Sequence, residues 1–200
     1  MPEPATAPHL ALVGPPGHED TEADHDRAEA EARRALAALA ARRRARREPR
    51  VTQDYRFTDE EGREVGLLDL FGPHETLVTY FWKYGPHRDR PCPDCTRRLD
   101  PLEANARALS QRVGLVVLGR SPAPRQRAFA TARGWTQLRF CETQDDAARD
   151  LGALKKGGEE SPMFVVFGRD AQGHVRVLHA AEMTPQTPLH GVWELLETPS

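Results

Sequence analysis

Thr76-Leu77-Val78-Thr79-Tyr80-Phe81-Trp82 is an apolar run; a short polar loop follows, then Cys92-Pro93-Asp94-Cys95 and a segment of helical character. Strand, loop, C-x-x-C, helix is the order in which two thiols at this spacing form a redox pair. A thiol at a helix start faces N–H groups without intrahelical partners and the positive end of the dipole. Both favour the thiolate, which is the reactive form.

Working outward, the 76–82 run is continuous enough to be a strand buried on both faces. Asp100-Pro101-Leu102-Glu103 carries a cap, a proline and an acid in the order of a helix start. The helix from Cys92 is therefore expected to break or kink at Asp100 and run to about Arg112. Val113 to Leu118 is a second central strand. Ser121-Pro122 opens a helix ending at Gly134, a C-cap residue. A short strand at Leu138–Cys141 and a short helix at Asp145–Leu151 follow. Pro162 stands directly before Met163-Phe164-Val165-Val166-Phe167, a third buried strand that reverses through Arg169–Gly173 into His174–Leu178. Thr187-Pro188 starts a last helix with Leu189, Val192, Trp193, Leu195 and Leu196 on its apolar side. The strand–helix–strand unit implies a right-handed crossover and puts the cysteines at the carboxyl end of a central strand.

Upstream, Tyr55-Arg56-Phe57 and Arg63-Glu64-Val65 read as a hairpin, and Leu67–Phe71 as one apolar turn. Residues 1–20 are rich in Pro, Gly and Ala and are expected to be disordered. From Thr21 to Arg47 the chain is Ala-rich and helix-favouring, with acids first and arginines last, and Glu29 and Arg33 spaced as an ion pair. Its large apolar groups are too few for a core. The expected division is 1–50, a disordered tail and helix, and 51–200, a three-layer α/β/α domain with an N-terminal hairpin. The Arg42–Arg47 run has no interleaved aromatics to stack bases, so it reads as a solvated helix end; no nucleic-acid partner is expected.

Charged residues make 29% of the chain but the net charge is only −2, which gives no global pull toward nucleic acid or membrane. Lysine occurs only at 83, 155 and 156, a genomic composition bias more than a functional signal. Three cysteines do not make a disulfide framework. No apolar run reaches the roughly 20 residues of a membrane span, and His9–Val13 is too short and broken for a signal peptide. A cytoplasmic, reducing compartment is the expectation.

The segment Tyr55–Pro199 resembles a bacterial family of uncharacterised thioredoxin-like proteins, domain of unknown function family 899. The residues that carry the resemblance are Asp54-Tyr55-Arg56-Phe57, Leu68-Asp69-Leu70-Phe71, Gly85-Pro86, Cys92-Pro93-Asp94-Cys95, Asp100, Arg120-Ser121-Pro122, Gly134-Trp135, Val165–Asp170 and Trp193-Glu194-Leu195-Leu196. The Ala- and Arg-rich lead-in is similar too. Two stretches depart from the family. Leu138–Glu142 replaces an aromatic strand and a serine pair, and Ala147-Ala148 replaces a Phe-Asn pair. The resemblance implies a thioredoxin-like fold without an established substrate; the wider superfamily implies thiol–disulfide chemistry or peroxide reduction.

On this reading Cys92 attacks and Cys95 resolves. Arg88, Arg90, Arg97 and Arg98 are expected to lower the Cys92 pKa and Asp94 to oppose them, for a moderate net depression suited to a reductant. The resemblance also implies a cis peptide bond before Pro162, with the Ser161 backbone free to pair with an extended substrate segment. Trp82, Tyr84 and Trp135 are pocket or core residues. Cys141 is expected to be a small buried hydrophobe, and His74 and His87 solvated loop residues. Half a zinc site is present but no second C-x-x-C or spaced histidine pair, so no metal or other cofactor is expected. A peroxiredoxin-like peroxidase would need a threonine where Asp89 stands. The expected function is thiol–disulfide oxidoreduction on a protein or small-thiol disulfide. The alternatives are that peroxidase and a redox-inactive binding module of the same fold.

Overall fold

A computed structural model describes residues 22–46, 50–51 and 53–184. The chain divides into two compact units, Met1–Arg47 and Glu48–Ser200. The expected tail at 1–20 and the expected last helix from Thr187 lie outside the described residues.

In the first unit, α1 spans Glu22–Arg46. The anticipated Glu29–Arg33 ion pair forms on its surface, as does Asp24–Arg27. Both are exposed, so neither adds much stability.

The second unit is built on one sheet. Its elements are β1 (Arg50–Val51), β2 (Arg56–Thr58), β3 (Glu64–Gly66), α2 (Leu67–Leu70), β4 (Thr76–Phe81), α3 (Pro93–Leu109), β5 (Gly114–Gly119), α4 (Ala123–Ala132), β6 (Arg139–Thr143), α5 (Asp145–Asp150), β7 (Met163–Arg169) and β8 (Val175–Glu182). The eight strands lie in the order β1-β8-β7-β4-β5-β6-β2-β3. β4 pairs parallel with β5 and antiparallel with β7, so it sits at the centre of the sheet. Its continuous apolar character follows from that position, because both of its faces are covered.

Alternation along β4 divides the core. Val78 and Tyr80, with Trp82 beyond the strand end, face a cluster built with Leu99, Ala106 and Leu109 of α3 and Ala130 of α4. Leu77 and Phe81 face a second cluster with Leu67 and Leu70 of α2 and Ala147 and Ala148 of α5. The expected three-layer α/β/α arrangement is thus realised by the period of two in a strand. Each fully buried leucine, such as Leu77 or Leu99, contributes about 1.5–3 kcal/mol of hydrophobic stabilisation.

The expected break at Asp100 does not occur. α3 runs unbroken from Pro93 to Leu109 with Pro101 inside it. The Asp100 carboxylate is engaged elsewhere. It accepts from Arg133 Nε (2.9 Å) and Nη2 (2.6 Å) and from Trp135 Nε1 (3.1 Å). A forked guanidinium pair is a stronger partner than a backbone N–H cap. Asn105 Nδ2 donates to the Pro101 carbonyl at 2.8 Å within the same helix. Asp100 therefore ties α3 to the end of α4. That end is made by Gly134 at φ +81°, a conformation glycine adopts without cost.

The start of β5 is tightly packed. A Cβ on Gly114 would lie 2.8 Å from the Leu70 carbonyl oxygen and 3.1 Å from the Phe71 Cα, both backbone atoms that cannot swing away. Gly114→Ala is expected to destabilise the protein by about 1–3 kcal/mol in denaturant melts, the usual cost of overpacking. A loss below about 0.5 kcal/mol, the range of neutral surface changes, would mean that α2 is not held against β5 as described.

Candidate active site

β4 ends at Phe81, and the chain leaves the sheet through Trp82 and Lys83. Lys83 is bonded to both ends of the C-x-x-C. The Cys92 N–H donates to the Lys83 carbonyl at 2.9 Å, and the Lys83 N–H points at Cys95 Sγ at 3.4 Å. Cys92 is the N-cap of α3, with Pro93 as the first helical residue. A proline is at home there because its missing N–H would have had no partner. The Cys92 carbonyl closes the first turn by accepting from the Thr96 N–H and Oγ1, each at 3.0 Å.

Both thiols are free and largely buried, Cys92 8% and Cys95 1% exposed. Their ionisation is pushed in opposite directions. Burial raises the Cys92 pKa, but the backbone N–H groups of Cys95 and Asp94, the Lys83 ammonium and the Cys95 thiol together carry it below the ordinary thiol value. Burial dominates at Cys95 and holds it above that value, helped by Cys92 and opposed by the Lys83 N–H and the Tyr80 hydroxyl. The Tyr80 effect is that of a hydroxyl able to hydrogen-bond the Cys95 sulfur, although in the reduced protein that hydroxyl has no partner in hydrogen-bond geometry.

None of the four arginines expected to lower the Cys92 pKa is among its leading causes. Arg97 is turned to the Asp94 carboxylate, Arg98 donates to the Thr184 carbonyl, Arg88 pairs with Glu160 at 3.1 Å, and Arg90 is exposed. Lys83 is the cation that acts, and it was missed because it precedes the motif by nine positions. Its sequence signal is its place directly after the strand. Asp94 also acts against expectation: Arg97 occupies its carboxylate, and its backbone N–H favours the thiolate.

The Pro162 region differs from the expectation too. The Ser161–Pro162 peptide is trans, since no cis peptide bond occurs among the described residues. The Ser161 N–H donates to the Ala153 carbonyl (2.9 Å), and the Pro162 carbonyl accepts from the Met183 N–H (2.8 Å). For the Pro162 carbonyl the reason is the length of β8. It continues past the expected Leu178 to Glu182, which pairs with Met163, and so runs alongside Pro162. The Pro162 carbonyl is thereby taken, while the Ser161 N–H is taken by Ala153, which lies outside β8. Ser161 itself is 3% exposed, with its hydroxyl unpartnered.

Trp82 is a wall behind the thiols. It is buried, donates from Nε1 to Gln126 Oε1 at 2.9 Å, and packs edge-on to Tyr84 with centroids 5.1 Å apart. Tyr84 and Trp135 share its cluster, together with Cys92 and Cys95. Cys141 is fully buried in the other cluster, across the sheet, and burial pushes its thiol up to about 12. His87 is exposed and His74 half-buried. Among the described residues no three His, Cys, Asp or Glu side chains gather as a metal cage would require. No helix among them is long and apolar enough to cross a membrane. A cleft of about 330 Å³ lies beside the β2–β3 turn, but Asp59, Glu60, Arg63 and Arg127 line it in ion pairs and it holds no thiol.

The chain belongs to the family described as "Bacterial protein of unknown function (DUF899)", which matches residues 17–200. No curated protein matches it. Its solved neighbours share the fold at low identity. The exposed lipoprotein thioredoxin Etrx1 of Streptococcus pneumoniae superposes with TM-score 0.51 at 12% identity, covering 72% of this chain and 98% of that one. BsSco, a member of the Sco family of cytochrome c oxidase assembly proteins in which a disulfide switch was identified, gives 0.52 at 17%, covering 76% and 95%. PrxQ of Xylella fastidiosa gives 0.52 at 16%, covering 75% and 92%. The fold is thioredoxin-like.

The asymmetry of the thiols can be measured directly. Alkylation of the folded, reduced protein followed against pH should label Cys92 first, Cys95 at higher pH and Cys141 last. Lys83→Met should move the Cys92 profile to higher pH, because it removes the leading cation there, and Arg88→Gln should leave it nearly in place. A shift with Arg88→Gln and none with Lys83→Met would overturn this account of the field. Cys141 also makes stability depend on alkaline pH. Its thiol is raised from 9.0 to about 12 on folding. Its contribution is therefore complete below about 9 and declines as pH rises toward 12, where the native thiol finally ionises. Cys141→Ala should flatten the alkaline loss of stability in that window.

Proposed function

We propose that this protein is a thiol–disulfide oxidoreductase whose nucleophile is Cys92 and whose resolving thiol is Cys95. One observation carries the reading: Cys92 caps α3, and the N–H groups of Asp94 and Cys95 favour its thiolate, while the second thiol waits one turn behind it. A helix-capping thiolate with a buried partner suits a two-step exchange. In the first step the Cys92 thiolate attacks one sulfur of a substrate disulfide; that disulfide breaks and its other half leaves as thiolate. In the second, Cys95 loses its proton and attacks the Cys92 sulfur. The substrate leaves as a second thiolate, and the protein is left with a Cys92–Cys95 disulfide. A small thiol or a protein dithiol would then return the pair to the reduced state.

The substrates that fit are disulfides of proteins or small thiols. A narrow approach is implied, since Cys92 exposes only 8% of its surface and Trp82 and Tyr84 wall it in. The setting that suits free, reduced thiols is a cytoplasmic one. The binding-module and peroxidase alternatives have no comparable geometric support.

Trapping decides the matter. Cys95→Ser should accumulate mixed disulfides with partners, released by reducing agent, because the attack can occur and the resolution cannot. Cys92→Ser should accumulate none. Rapid turnover of hydrogen peroxide with no exchange on disulfides would favour a peroxidase. Absence of any trapped species, together with a Cys92 thiol as inert as Cys141, would leave a binding module.

A further inference from the structure

Tyr80 shares the cluster of the thiols, and the exchange above does not use its hydroxyl. Its place in β4 is fixed by two ladders, opposite Val117 of β5 and Phe164 of β7. Its ring lies in the same cluster as Cys92 and Cys95, and the residue is 3% exposed. Its hydroxyl is buried without a partner. Buried tyrosine hydroxyls are normally satisfied, and an orphaned one is costly. A phenylalanine would fill the same space without that cost.

We propose that the Tyr80 hydroxyl is a hydrogen-bond donor held for the Cys95 thiolate, so that Tyr80 governs how readily the resolving thiol ionises. This rests on the reading of Cys92 and Cys95 as a redox pair. A thiol sulfur is a weak acceptor, which fits a hydroxyl that has no partner in the reduced state. A thiolate is a strong acceptor. The groups facing Cys95 are few. The Lys83 N–H approaches from the loop, Cys92 from the helix start, and Tyr80 from β4, with Arg98 of α3 acting on Tyr80. β5 and β7 supply the apolar Val117 and Phe164. Burial and the neighbouring Cys95 hold the Tyr80 phenol far above its ordinary pKa. It therefore keeps its proton and can donate a hydrogen bond but cannot serve as a base. In the resolving step the Cys95 proton goes to solvent. The Tyr80 O–H donates to the sulfur as its charge forms, and that sulfur attacks Cys92 while the substrate thiolate leaves. No further oxidant or reductant enters.

The test is to mix the reduced full-length protein with a nitrobenzoate disulfide and follow release of the coloured thiolate. The first equivalent reports attack by Cys92 and the second reports resolution by Cys95; Cys95→Ser gives the background. Tyr80→Phe is expected to leave the first phase within about twofold and to slow the second by about fivefold or more at neutral pH, with its profile moved to alkaline pH. The rates should converge at pH values where Cys95 is ionised in both proteins. The reduced Tyr80→Phe protein should melt no lower than the parent, because an orphaned hydroxyl has been removed. A second phase with an unchanged pH profile overturns the proposal. So does a clear drop in the melting temperature of the reduced variant, which would mean that the hydroxyl already has a partner. If the parent shows no second phase beyond the Cys95→Ser background, the redox pair itself fails, and the role of Tyr80 with it.

Discussion

The bond from the Cys92 N–H to the Lys83 carbonyl is the constraint on which the site depends. It returns the first residue of α3 to the point where the chain leaves β4, so the helix must start against the end of the central strand. The loop between these points is held from outside. Ser121 donates from its N–H to the Tyr84 carbonyl (2.7 Å) and from its hydroxyl to the Gly85 carbonyl (2.9 Å). Arg125 reaches the Arg88 and Asp89 carbonyls from α4 (2.7 and 3.2 Å), and Glu160 receives Arg88. A loop with its carbonyls occupied in this way has little freedom, and the Lys83 peptide keeps its place between the two thiols.

That peptide explains why the same helix start treats its two cysteines differently. Desolvation acts against ionisation at both sulfurs. At Cys92 several donors and one ammonium oppose it and prevail; at Cys95, deeper and facing one backbone N–H, they do not. Cys92 therefore ionises more readily than an ordinary thiol and Cys95 less readily. One thiol that ionises readily and a neighbour that ionises late keep the two from meeting as two anions, which buried like charges would resist.

Much of this was legible in the sequence. The β4 run, the C-x-x-C, the helix after it and the β7–β8 hairpin follow from periods and turn residues, and the structure has all of them. What failed were the contributions of charges and the fate of two prolines. Arg88, Arg97 and Arg98 stand close to the motif in sequence, but each is drawn to a nearer acceptor, and proximity along a chain says nothing about which acceptor prevails. Pro101 sits within a helix, and Asp100, the apparent cap, pairs instead with Arg133, thirty-three positions away. Pro162 lies in a trans peptide beside a strand whose length could not be read, since the alternation in Val175–Glu182 is only half-buried and gives no sharp end. Lys83 and Tyr80 went unremarked for a common reason. Both lie near the thiols across space, and no motif marks that.

Cys141 shows what the sheet contributes beyond support. It lies on β6 opposite Leu118, fully buried with Phe81, Val165 and Phe167, whereas the reactive pair lies with Tyr80, Val117 and Phe164. To reach either reactive sulfur it would have to pass through the plane of β4, β5 and β6. The backbone around it is fastened to the other side as well. Gln126 of α4 donates to the carbonyls of Cys141 (3.2 Å), Ser121 (2.6 Å) and Gly119 (3.2 Å) while its oxygen accepts from Trp82. One buried amide thus locks the wall of the active site to the strand that carries the third thiol, and breaking it would strand several polar groups at once. The sheet therefore separates Cys141 from Cys92 and Cys95, and the separation needs nothing at Cys141 beyond its burial.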